Sequence, residues 1–530
     1  MKLYAADENT WLYPDRTPEK QDISLYLARG GHTAVQLVTD AEENVFSLSA
    51  SLPAGVHAEW YQLCPTYVEE NSGPATLTTL DYDRVKDFVT RQTPFSVFDI
   101  TFPIKNPEKA VLRPGCPAAF FVRFSADRDV SPVSGEAVLS VRSETDSTSV
   151  SFPLTVTNAE IPALSETGFG VCNWLKWHDI ANAHKVPLRS PAFWEITDRY
   201  MEALQEVRTN HFLLPAGEPV RDENGDVVSF DFSFCEEMAE HALAHGFSYI
   251  YGGFVARFRE WDHPEIYLLW DWDKGTEVTG QEGFRQLRIY FRSLWDMVCR
   301  HGWQDKWMQC LVDEPQFQNS MHYRALSCIC RQCMPGVTIH DPVESTEVGG
   351  AMDIWCVKQA VFAKYRDIYK KLQAQGEHLW VYTCGFPAGK WMNRTTDLPL
   401  AAGRLPFWMC ALEGFEGFLH WGFNAWGGVD PYTHNCFPSG SVLLPPGDGF
   451  IVYPGNTASV GEPEYPNNGA PVLSVRAHGQ LFGAEDCELL RKLPEEKRNA
   501  LCNKLCRDFE DYENDPARLA AVRRELLLSF

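Results

Sequence analysis

The sequence predicts a chain of two folded parts, an N-terminal β-sandwich followed by a (β/α)8 barrel with a helical C-terminal tail. Three observations support this prediction. Short alternating apolar runs fill the first part, strands alternating with amphipathic helices fill the second, and the last segment is charged and helical in pattern. These changes of pattern place the domains at residues 1–160, 165–493 and 494–530. A chain of 530 residues is long enough for two or three domains.

The sandwich prediction depends on runs in which apolar residues recur at every second position. In the run 149–156, Val150, Phe152 and Leu154 share one face of a strand. The run 137–141 has the same character, and Gly, Pro and Asp clusters separate such runs without a long helix between them. This pattern is typical of a β-sandwich. No catalytic constellation is found in this part.

The barrel prediction depends on helices that end at a glycine shortly before a strand. Three predicted helices end at Gly246, Gly302 and Gly376. A glycine at this position is typical of the loop that leads from a helix into a parallel strand. An earlier helix is predicted to begin at Ser190 and Pro191, an N-cap followed by a first-turn proline.

Eight candidate strands follow from this rhythm. They begin near Phe169, His211, Tyr249, Trp307, Val337, Asp353, Leu379 and Gly417. Eight parallel strands alternating with helices predict a (β/α)8 barrel, in which the chemistry takes place at the carboxyl ends of the strands. A doubly wound sheet is the alternative, and it fits less well because no Gly-rich phosphate loop opens any of the helices.

The composition limits the classes of partner. A net charge of −24 argues against nucleic acid and against anionic membrane surfaces. No run of about 18 apolar residues is present, and the N-terminus lacks the apolar segment of a signal peptide, so we expect a cytoplasmic protein. Seventeen tryptophans favour a ligand with apolar faces and hydroxyl edges, such as a small glycan or glycoconjugate.

The cysteines are expected to be reduced thiols, because no secretion signal accompanies them. Cys328, Cys330 and Cys333 form the candidate metal cluster, with Cys310 and His322 nearby in sequence. Their spacing is not the paired spacing of a zinc ribbon. We therefore expect neither a metal nor another cofactor.

The chain from Trp307 to Val312 has the character of a buried strand, and it ends at two adjacent carboxylates, Asp313 and Glu314. Pro315 follows, and proline cannot donate to a sheet ladder, so the strand should stop here. At a strand end both side chains can address one pocket, and burying two acids is costly unless they are used or paired. The alternative is that Asp313 caps the next helix and Glu314 is solvated.

Other strand ends and loops carry aromatic, amide and imidazole side chains. We expect these to bind the substrate, and they are His340, Trp355, Tyr382, Asn393, Trp421, Asn424 and Trp426. Aromatic rings stack on sugar faces, while amides and acids bind hydroxyl groups. Structural roles are the alternative. Trp421 and Trp426 can pack the top of the barrel, and His340 can be a structural histidine. Asn393 can be a turn residue.

The adjacency of the two acids bears on the mechanism. A standard retaining glycosidase holds its two carboxyl groups about 5–5.5 Å apart on opposite sides of the scissile bond. Adjacent residues at one strand end cannot easily flank a sugar in this way. They suit substrate-assisted hydrolysis, in which the 2-acetamido oxygen of the sugar attacks C1. One carboxylate then orients the acetamido group, and the other protonates the leaving oxygen.

Several segments together resemble glycoside hydrolase family 123. They are Leu-Val-Asp-Glu-Pro at 311–315, Phe-Leu-His-Trp-Gly-Phe-Asn-Ala-Trp at 418–426 and Gly-Asp-Gly-Phe-Ile-Val-Tyr-Pro-Gly at 447–455, with Asp-Ile-Trp at 353–355 and Tyr-Thr-Cys at 382–384. The resemblance covers most of 165–490, and the first part is similar to the family's accessory β-sandwich. It implies a retaining exo-acting β-N-acetylgalactosaminidase, in which Asp313 orients the acetamido group and Glu314 is the acid/base.

The segment 474–488 resembles the closing segment of that family with departures. It carries His478, Leu481 and Cys487 where the family pattern leads us to expect an acid, an arginine and a tyrosine. We expect these three to be packing positions in a distant member of the family.

Two other functions stay open at this point. In one, Glu314 is the acid and a carboxylate on another strand, Asp341 or Glu413, is the nucleophile, so that the enzyme accepts sugars without an acetamido group. In the other, the chain is a non-catalytic carbohydrate-binding barrel. The presence of both Asp313 and Glu314 argues against the second.

Overall fold

The N-terminal part is a two-sheet sandwich, as predicted. The computed structural model of the protein describes residues 1–74, 78–260, 263–440, 442–455 and 469–530. Its strands up to residue 160 are β1 (Leu3–Asp7), β2 (Leu25–Arg29), β3 (His32–Thr39), β4 (Val45–Ser51), β5 (Val56–Val68), β6 (Asn71–Ser72), β7 (Thr78–Thr79), β8 (Phe95–Pro103), β9 (Ala110–Val111), β10 (Ala119–Ala126), β11 (Val133–Arg142) and β12 (Ser147–Glu160).

Two five-stranded sheets face each other in this sandwich. One has the order β1-β3-β10-β5-β8, and the other has the order β2-β12-β11-β4-β9. Their inner faces share one core, to which β10 contributes Phe120 and Phe124 and β12 contributes Phe152 and Leu154. On β12 these side chains alternate with exposed ones, which is the pattern that predicted the strand.

The second part contains the barrel strands and several short hairpins. In chain order the strands are β13 (Gly170–Asn173), β14 (His211–Leu213), β15 (Glu218–Arg221), β16 (Val227–Asp231), β17 (Tyr249–Gly252), β18 (Ala256–Arg257), β19 (Tyr267–Leu268), β20 (Trp307–Gln309), β21 (Thr338–Val343), β22 (Ile354–Lys358), β23 (His378–Thr383), β24 (Gly417–His420), β25 (Phe437–Ser439), β26 (Val442–Leu444), β27 (Val452–Tyr453), β28 (Val472–Leu473), β29 (Cys506–Asp508) and β30 (Asp511–Tyr512).

Eight of these strands close into a barrel in the order β13-β14-β17-β20-β21-β22-β23-β24, and neighbouring strands are parallel. Each begins within one residue of its predicted start. Side chains from the strands fill the interior, among them Tyr251, Met308, Trp380 and Leu419. The barrel prediction is therefore confirmed, and the doubly wound alternative is wrong.

Helices surround the barrel. They are α1 (Trp177–His184), α2 (Pro191–Glu206), α3 (Ser233–Ala244), α4 (Gln281–His301), α5 (Ser320–Cys333), α6 (Gln359–Lys364), α7 (Arg366–Ala374), α8 (Ala401–Glu413), α9 (Val475–Lys492), α10 (Glu495–Cys502) and α11 (Pro516–Leu527). The Ser190 hydroxyl accepts a hydrogen bond from the Phe193 amide at the start of α2, as the N-cap predicted. The helix predicted before Gly376 is two helices, α6 and α7, which meet at Tyr365.

The sandwich packs against the barrel part through α9. β10 carries apolar side chains on both faces because both faces are covered. Phe121 points away from the sandwich core and stacks on the imidazole of His478 in α9, with ring centroids 4.5 Å apart. His478, Leu481 and Cys487 are all buried, so the positions that depart from the family pattern lie inside the packed structure.

A buried ion network joins the same two parts. Arg404 in α8 donates to Glu8, which follows β1, at 2.7 Å and to Asp486 in α9 at 2.9 Å. Arg523 in α11 donates to the other oxygen of Asp486 at 3.0 Å. All four side chains are buried, so each charge depends on the others for its pairing.

We expect the Arg404→Ala substitution to lower the free energy of unfolding by about 3–5 kcal/mol, because it leaves buried carboxylates without their partner. Arg507→Ala is the control. Arg507 also pairs with a carboxylate, Asp511, but both are exposed, and such pairs contribute little. Denaturant unfolding followed by tryptophan fluorescence measures both variants. Equal effects of the two substitutions would contradict the role assigned to the network.

The ends of the helices and strands can be compared with the predicted domain boundaries, but they do not determine how the chain divides into domains. β12 ends at Glu160, the last residue of the predicted first domain. α9 ends at Lys492, and α10, the β29–β30 hairpin and α11 form the tail. The division into domains stays a prediction. Among the described residues, no helix combines the length and the apolar character needed to cross a bilayer.

Candidate active site

The carboxylate pair lies at the carboxyl end of β20. The chain continues from Gln309 to Val312, which bridges to Ala256 of β18. Glu314 then adopts a left-handed conformation with a φ of 54°, which is uncommon for a residue with a side chain. A strand would send neighbouring side chains to opposite faces, and this one turn allows both acids to face the barrel mouth. Such a conformation costs roughly 1–3 kcal/mol and is typical of functional sites.

Backbone hydrogen bonds fix this turn against the next strand of the barrel. The Glu314 amide donates to the carbonyl of Pro342 at 3.1 Å. The Glu344 amide, just past β21, donates to the carbonyl of Pro315 at 3.2 Å. The ends of β20 and β21 are therefore locked in register, and this brings a third carboxylate, that of Glu344, to the mouth.

The Glu314 carboxylate is held by two donors from other strands. The Tyr382 hydroxyl donates to its Oε1 atom, and the Lys358 ammonium lies 3.0 Å from the same oxygen. Lys358 also donates to Glu344, so one cation bridges two carboxylates. Burial raises the pKa of Glu344, and the charge of Glu314 raises it further. Because both contacts reach Oε1, Oε2 is the oxygen that can face a scissile bond.

Asp313 has a different environment. Its side chain is half-buried and lines a cleft beside Phe254 and Leu269, and it forms no hydrogen bond with any described residue. Burial raises the pKa of the Asp313 carboxyl to about 7, and the charge of Glu314 adds to this rise. The Lys176 ammonium opposes it. The two acids of the pair are thus electrostatically distinct, with Glu314 anchored and Asp313 open to a ligand.

Lys176 is the cation on the side of Asp313. Its ammonium lies 5.2 Å from the ring centroid of Trp174 and 5.8 Å from that of Trp421, so it borders two aromatic faces. Burial lowers the pKa of Lys176, and Asp313 opposes this. The Asn424 side chain accepts from the Lys176 amide at 2.9 Å and donates to its carbonyl at 3.1 Å. Asn424 therefore fixes the backbone of Lys176, and it is buried beneath the mouth.

Trp421 lies at the mouth with its ring partly exposed. Its indole nitrogen donates to Asp448 at 2.9 Å. Asp448 also accepts from the Gly385 amide at 2.9 Å and from the Asn393 side chain at 2.7 Å. Asn393 is buried, so it supports Asp448, which in turn holds the ring of Trp421. A fixed, partly exposed indole is suited to stacking on a sugar.

Three predicted substrate-binding residues lie away from the mouth. Trp355 is fully buried on the helix side of the barrel, where its indole donates to Glu377 and its ring contacts Tyr369. His340 is buried inside the barrel below the mouth, with its ring stacked 4.8 Å from that of Tyr251. Trp426 is buried and donates to the Val452 carbonyl. For these three, the structural alternative describes the position better than the binding role.

The two other candidate nucleophiles are held in contacts with the backbone and with helices. Asp341 is buried, and it accepts hydrogen bonds from the Leu311 amide and from the Tyr323 hydroxyl of α5. Glu413 ends α8 and pairs with Lys370 of α7. Both carboxylates therefore serve the packing between strands and helices. The carboxylate that the structure adds at the mouth is Glu344.

Four polar residues of the site were not predicted from the sequence: Lys176, Lys358, Glu344 and Asp448. Lys358 had a signal, because it follows Cys356 by two positions on a buried strand and so faces the interior. Glu344 had a similar signal, because it follows Pro342 of β21 by two positions and lies one residue past the end of that strand. Asp448 lies in the segment 447–455 that resembles family 123, but nothing in its local pattern marks it as a partner of Trp421.

The predicted absence of a metal site stays a prediction. Cys328, Cys330 and Cys333 all lie on α5, where Cys328 is exposed and the other two are buried. Within the described ranges, no group of three His, Cys, Asp or Glu side chains has the geometry to hold a metal ion.

The sequence of residues 174–493 matches the protein-family model described as glycoside hydrolase 123, catalytic domain. The chain belongs to glycoside hydrolase family 123. It is therefore a glycosidase, and the matched range includes every barrel strand after β13 as well as the carboxylate pair. None of the curated proteins compared with the chain matches it.

Solved structures are similar to this family 123 chain in fold. A family 123 glycoside hydrolase from Clostridium perfringens, described for glycolipid glycan hydrolysis, aligns with a TM-score of 0.70 at 11% identity, covering 99% of this chain and 98% of that one. An endo-β-1,4-mannanase from Thermotoga petrophila has a TM-score of 0.35 at 12% identity, covering 61% and 78%. The first likeness extends over the sandwich as well as the barrel.

Proposed function

We propose that the protein is a retaining, exo-acting β-N-acetylgalactosaminidase that uses the 2-acetamido group of its substrate as the nucleophile. The observation that carries the proposal is the convergence of the adjacent acids Asp313 and Glu314 on one mouth, while Asp341 and Glu413 are held by side chains of α5 and α7. A nucleophile supplied by the sugar needs no second carboxylate across the bond. Family membership supports the hydrolysis of a glycosidic bond.

The contacts of the two acids support different roles in this reaction. In the first step the acetamido oxygen bonds to C1 as the C1–O bond breaks, and the leaving oxygen takes a proton from Glu314. Asp313 accepts the acetamido N–H and stabilises the positive charge that develops on the cyclised group. In the second step Glu314 removes a proton from water, which attacks C1 and reopens the ring. Retention follows from the two displacements at C1.

The surrounding side chains would position the sugar. Trp421, held by Asp448, is placed to stack on one face of the ring. Tyr382 and Lys358 fix Glu314, so that its free oxygen keeps one direction through both steps. The likeness to a family 123 relative described for glycolipid glycan hydrolysis supports a glycoconjugate as the source of the sugar.

Glu344 supports one competing function. It lies at the mouth, where Lys358 pairs with both Glu344 and Glu314, so a two-carboxylate reaction with Glu344 as the nucleophile is the alternative. Such an enzyme would not need an acetamido group on its substrate.

An aryl glycoside pair tests the proposal. We expect release of nitrophenol from the aryl β-N-acetylgalactosaminide and far slower release from the aryl β-galactoside, because the second sugar lacks the nucleophile. Nitrophenol absorbance measures both rates, and the Asp313→Asn/Glu314→Gln double variant controls for contaminating glycosidases. Equal rates on both sugars would favour the Glu344 reaction. Cleavage of neither would favour a carbohydrate-binding protein.

A further inference from the structure

A cleft runs from Asp313 along the loop that follows β17. Its walls are formed by Phe254, Ala256, Arg257, Phe258, Arg259, Glu260, Leu269 and Asp313. Arg257 and Arg259 are both exposed. The chain as a whole carries a net charge of −24, so two arginines on the wall of a cleft that reaches the catalytic pair are not expected from the surface composition.

Aromatic side chains hold both guanidinium groups. That of Arg257 lies 3.7 Å from the ring centroid of Trp272. That of Arg259 lies 4.8 Å from the ring centroid of Tyr267 and donates to the Trp272 carbonyl at 3.4 Å. Gly275 admits this arrangement, because a Cβ atom there would come within 2.8 Å of Arg259 Nη2. Stacking fixes the plane of a guanidinium and leaves the N–H donors on its edge available.

The donors of these arginines face no fixed anion within the described ranges. No carboxylate there forms an ion pair with Arg257 or Arg259, although Glu260 lies on the same wall. An arginine fork matches the geometry of a carboxylate or of a sulfate, with two parallel hydrogen bonds. The wall therefore has the chemistry to bind an anionic group of a ligand.

The position of the wall indicates which part of a glycan it meets. The groups that would surround the cleaved sugar, Tyr382, Lys358 and Lys176, are buried or largely buried. The arginines are exposed and lie beyond Asp313, towards the outside of the cleft. In an exo-acting enzyme, the part of the substrate that extends outward is the leaving group.

We propose that this cleft is a leaving-group subsite for an anionic glycan, in which Arg257 and Arg259 bind a carboxylate or sulfate substituent on the sugar that is released. This inference rests on the proposed function, because it takes the cleaved sugar to occupy the mouth. It adds a preference for acidic substrates to that function.

Binding of thio-linked disaccharides tests the subsite without turnover. The probes are N-acetylgalactosamine β-linked through sulfur to glucose, to glucuronate or to glucose 6-sulfate, and calorimetry measures each Kd. We expect one or both anionic probes to bind about 10- to 100-fold more tightly than the neutral one, as charge-assisted hydrogen bonds allow. Preference for glucuronate alone would identify the carboxylate as the ligand, and preference for the sulfate alone would identify the sulfate. Added salt should weaken the preference.

Arginine variants test whether Arg257 and Arg259 cause the preference for the anionic probes. In Arg257→Gln/Arg259→Gln, the ratio of neutral to anionic Kd should fall to near one, and in Arg257→Gln alone it should fall part of the way. Arg292→Gln removes an exposed arginine of α4 and should keep the wild-type ratio. Equal affinities for all three probes, or a ratio unchanged in the double variant, would overturn the proposal. Aryl glycoside cleavage is measured separately. Its absence would contradict the proposed function, whereas the Kd ratios test the anion-binding subsite independently of turnover.

Discussion

Glu314→Gln should lose about 10²–10⁴-fold in kcat on a β-N-acetylgalactosaminide with a poor leaving group, such as an alkyl glycoside, because the proton donor is gone. The loss should shrink for dinitrophenyl glycosides, whose leaving group departs with little protonation. Steady-state rates across a leaving-group series measure this dependence. The anchored position of Glu314, bonded to Tyr382 and Lys358 through one oxygen, leaves the second oxygen for this proton transfer.

Glu344→Gln is the matched control for that experiment. It removes the other carboxylate that Lys358 bridges, so it perturbs the same cation while leaving the proton donor in place. We expect a smaller loss that does not vary with the leaving group. If Glu344→Gln showed the steeper dependence on the leaving group, the proton donor would be Glu344.

The fold could be predicted because its signals are local and repeated. The alternation along β12 indicates which side chains of that strand are buried. The glycines after α4 and α7 indicate where the chain reverses at the end of each helix. The packing of the sandwich against the barrel was not predicted. Its signal was the apolar run at 118–122, most of it in β10, which predicts that both faces of that strand are covered.

A residue of the candidate site could be predicted only where its position along its own strand determines which way its side chain points. Asp313, Glu314, Tyr382 and Trp421 lie at the mouth, and their roles there stay predictions. Trp355 does not, because a shift of one position on a strand moves a side chain from the interior to the helix layer.

Depth along a strand is a second limit of such predictions. His340 faces the interior of the barrel, but it lies too low on β21 to reach the mouth, which Glu344 reaches four residues later. The rotation of a strand can be inferred from its apolar pattern. The height at which its barrel opens depends on where the neighbouring strands end.

The buried partners were harder still to predict. Asn393 and Asn424 were expected to bind substrate and instead hold Asp448 and the backbone of Lys176. An asparagine that binds a ligand and one that orients the residue that binds it have the same sequence signal. Only the contacts of the folded chain separate the two.

Asp313→Asn should lose roughly 10²–10³-fold in rate, and the loss should be similar for good and poor leaving groups, because cyclisation of the acetamido group is impaired in every case. In the wild type, kcat/KM should fall as the pH drops through about 7. The pKa of Asp313 is raised to about 7, so its carboxylate, the form that accepts the acetamido N–H, is lost below that pH. The Asp313→Asn variant should lack this acidic limb.

A mimic of the cyclised intermediate separates this role from that of a proton donor. A thiazoline derived from N-acetylgalactosamine should bind Asp313→Asn far more weakly than Glu314→Gln, because the orienting carboxylate is what makes the site complementary to the cyclised group. If Asp313 were the acid instead, kcat/KM would fall as the pH rises through about 7, since the protonated form would be the active one. A fall of kcat/KM with rising pH, together with a leaving-group dependence seen only in Asp313→Asn, would reverse the roles assigned to Asp313 and Glu314. The half-buried position of Asp313 on the open cleft, with Lys176 as the cation that most opposes the rise of its pKa, leads us to expect the acidic limb.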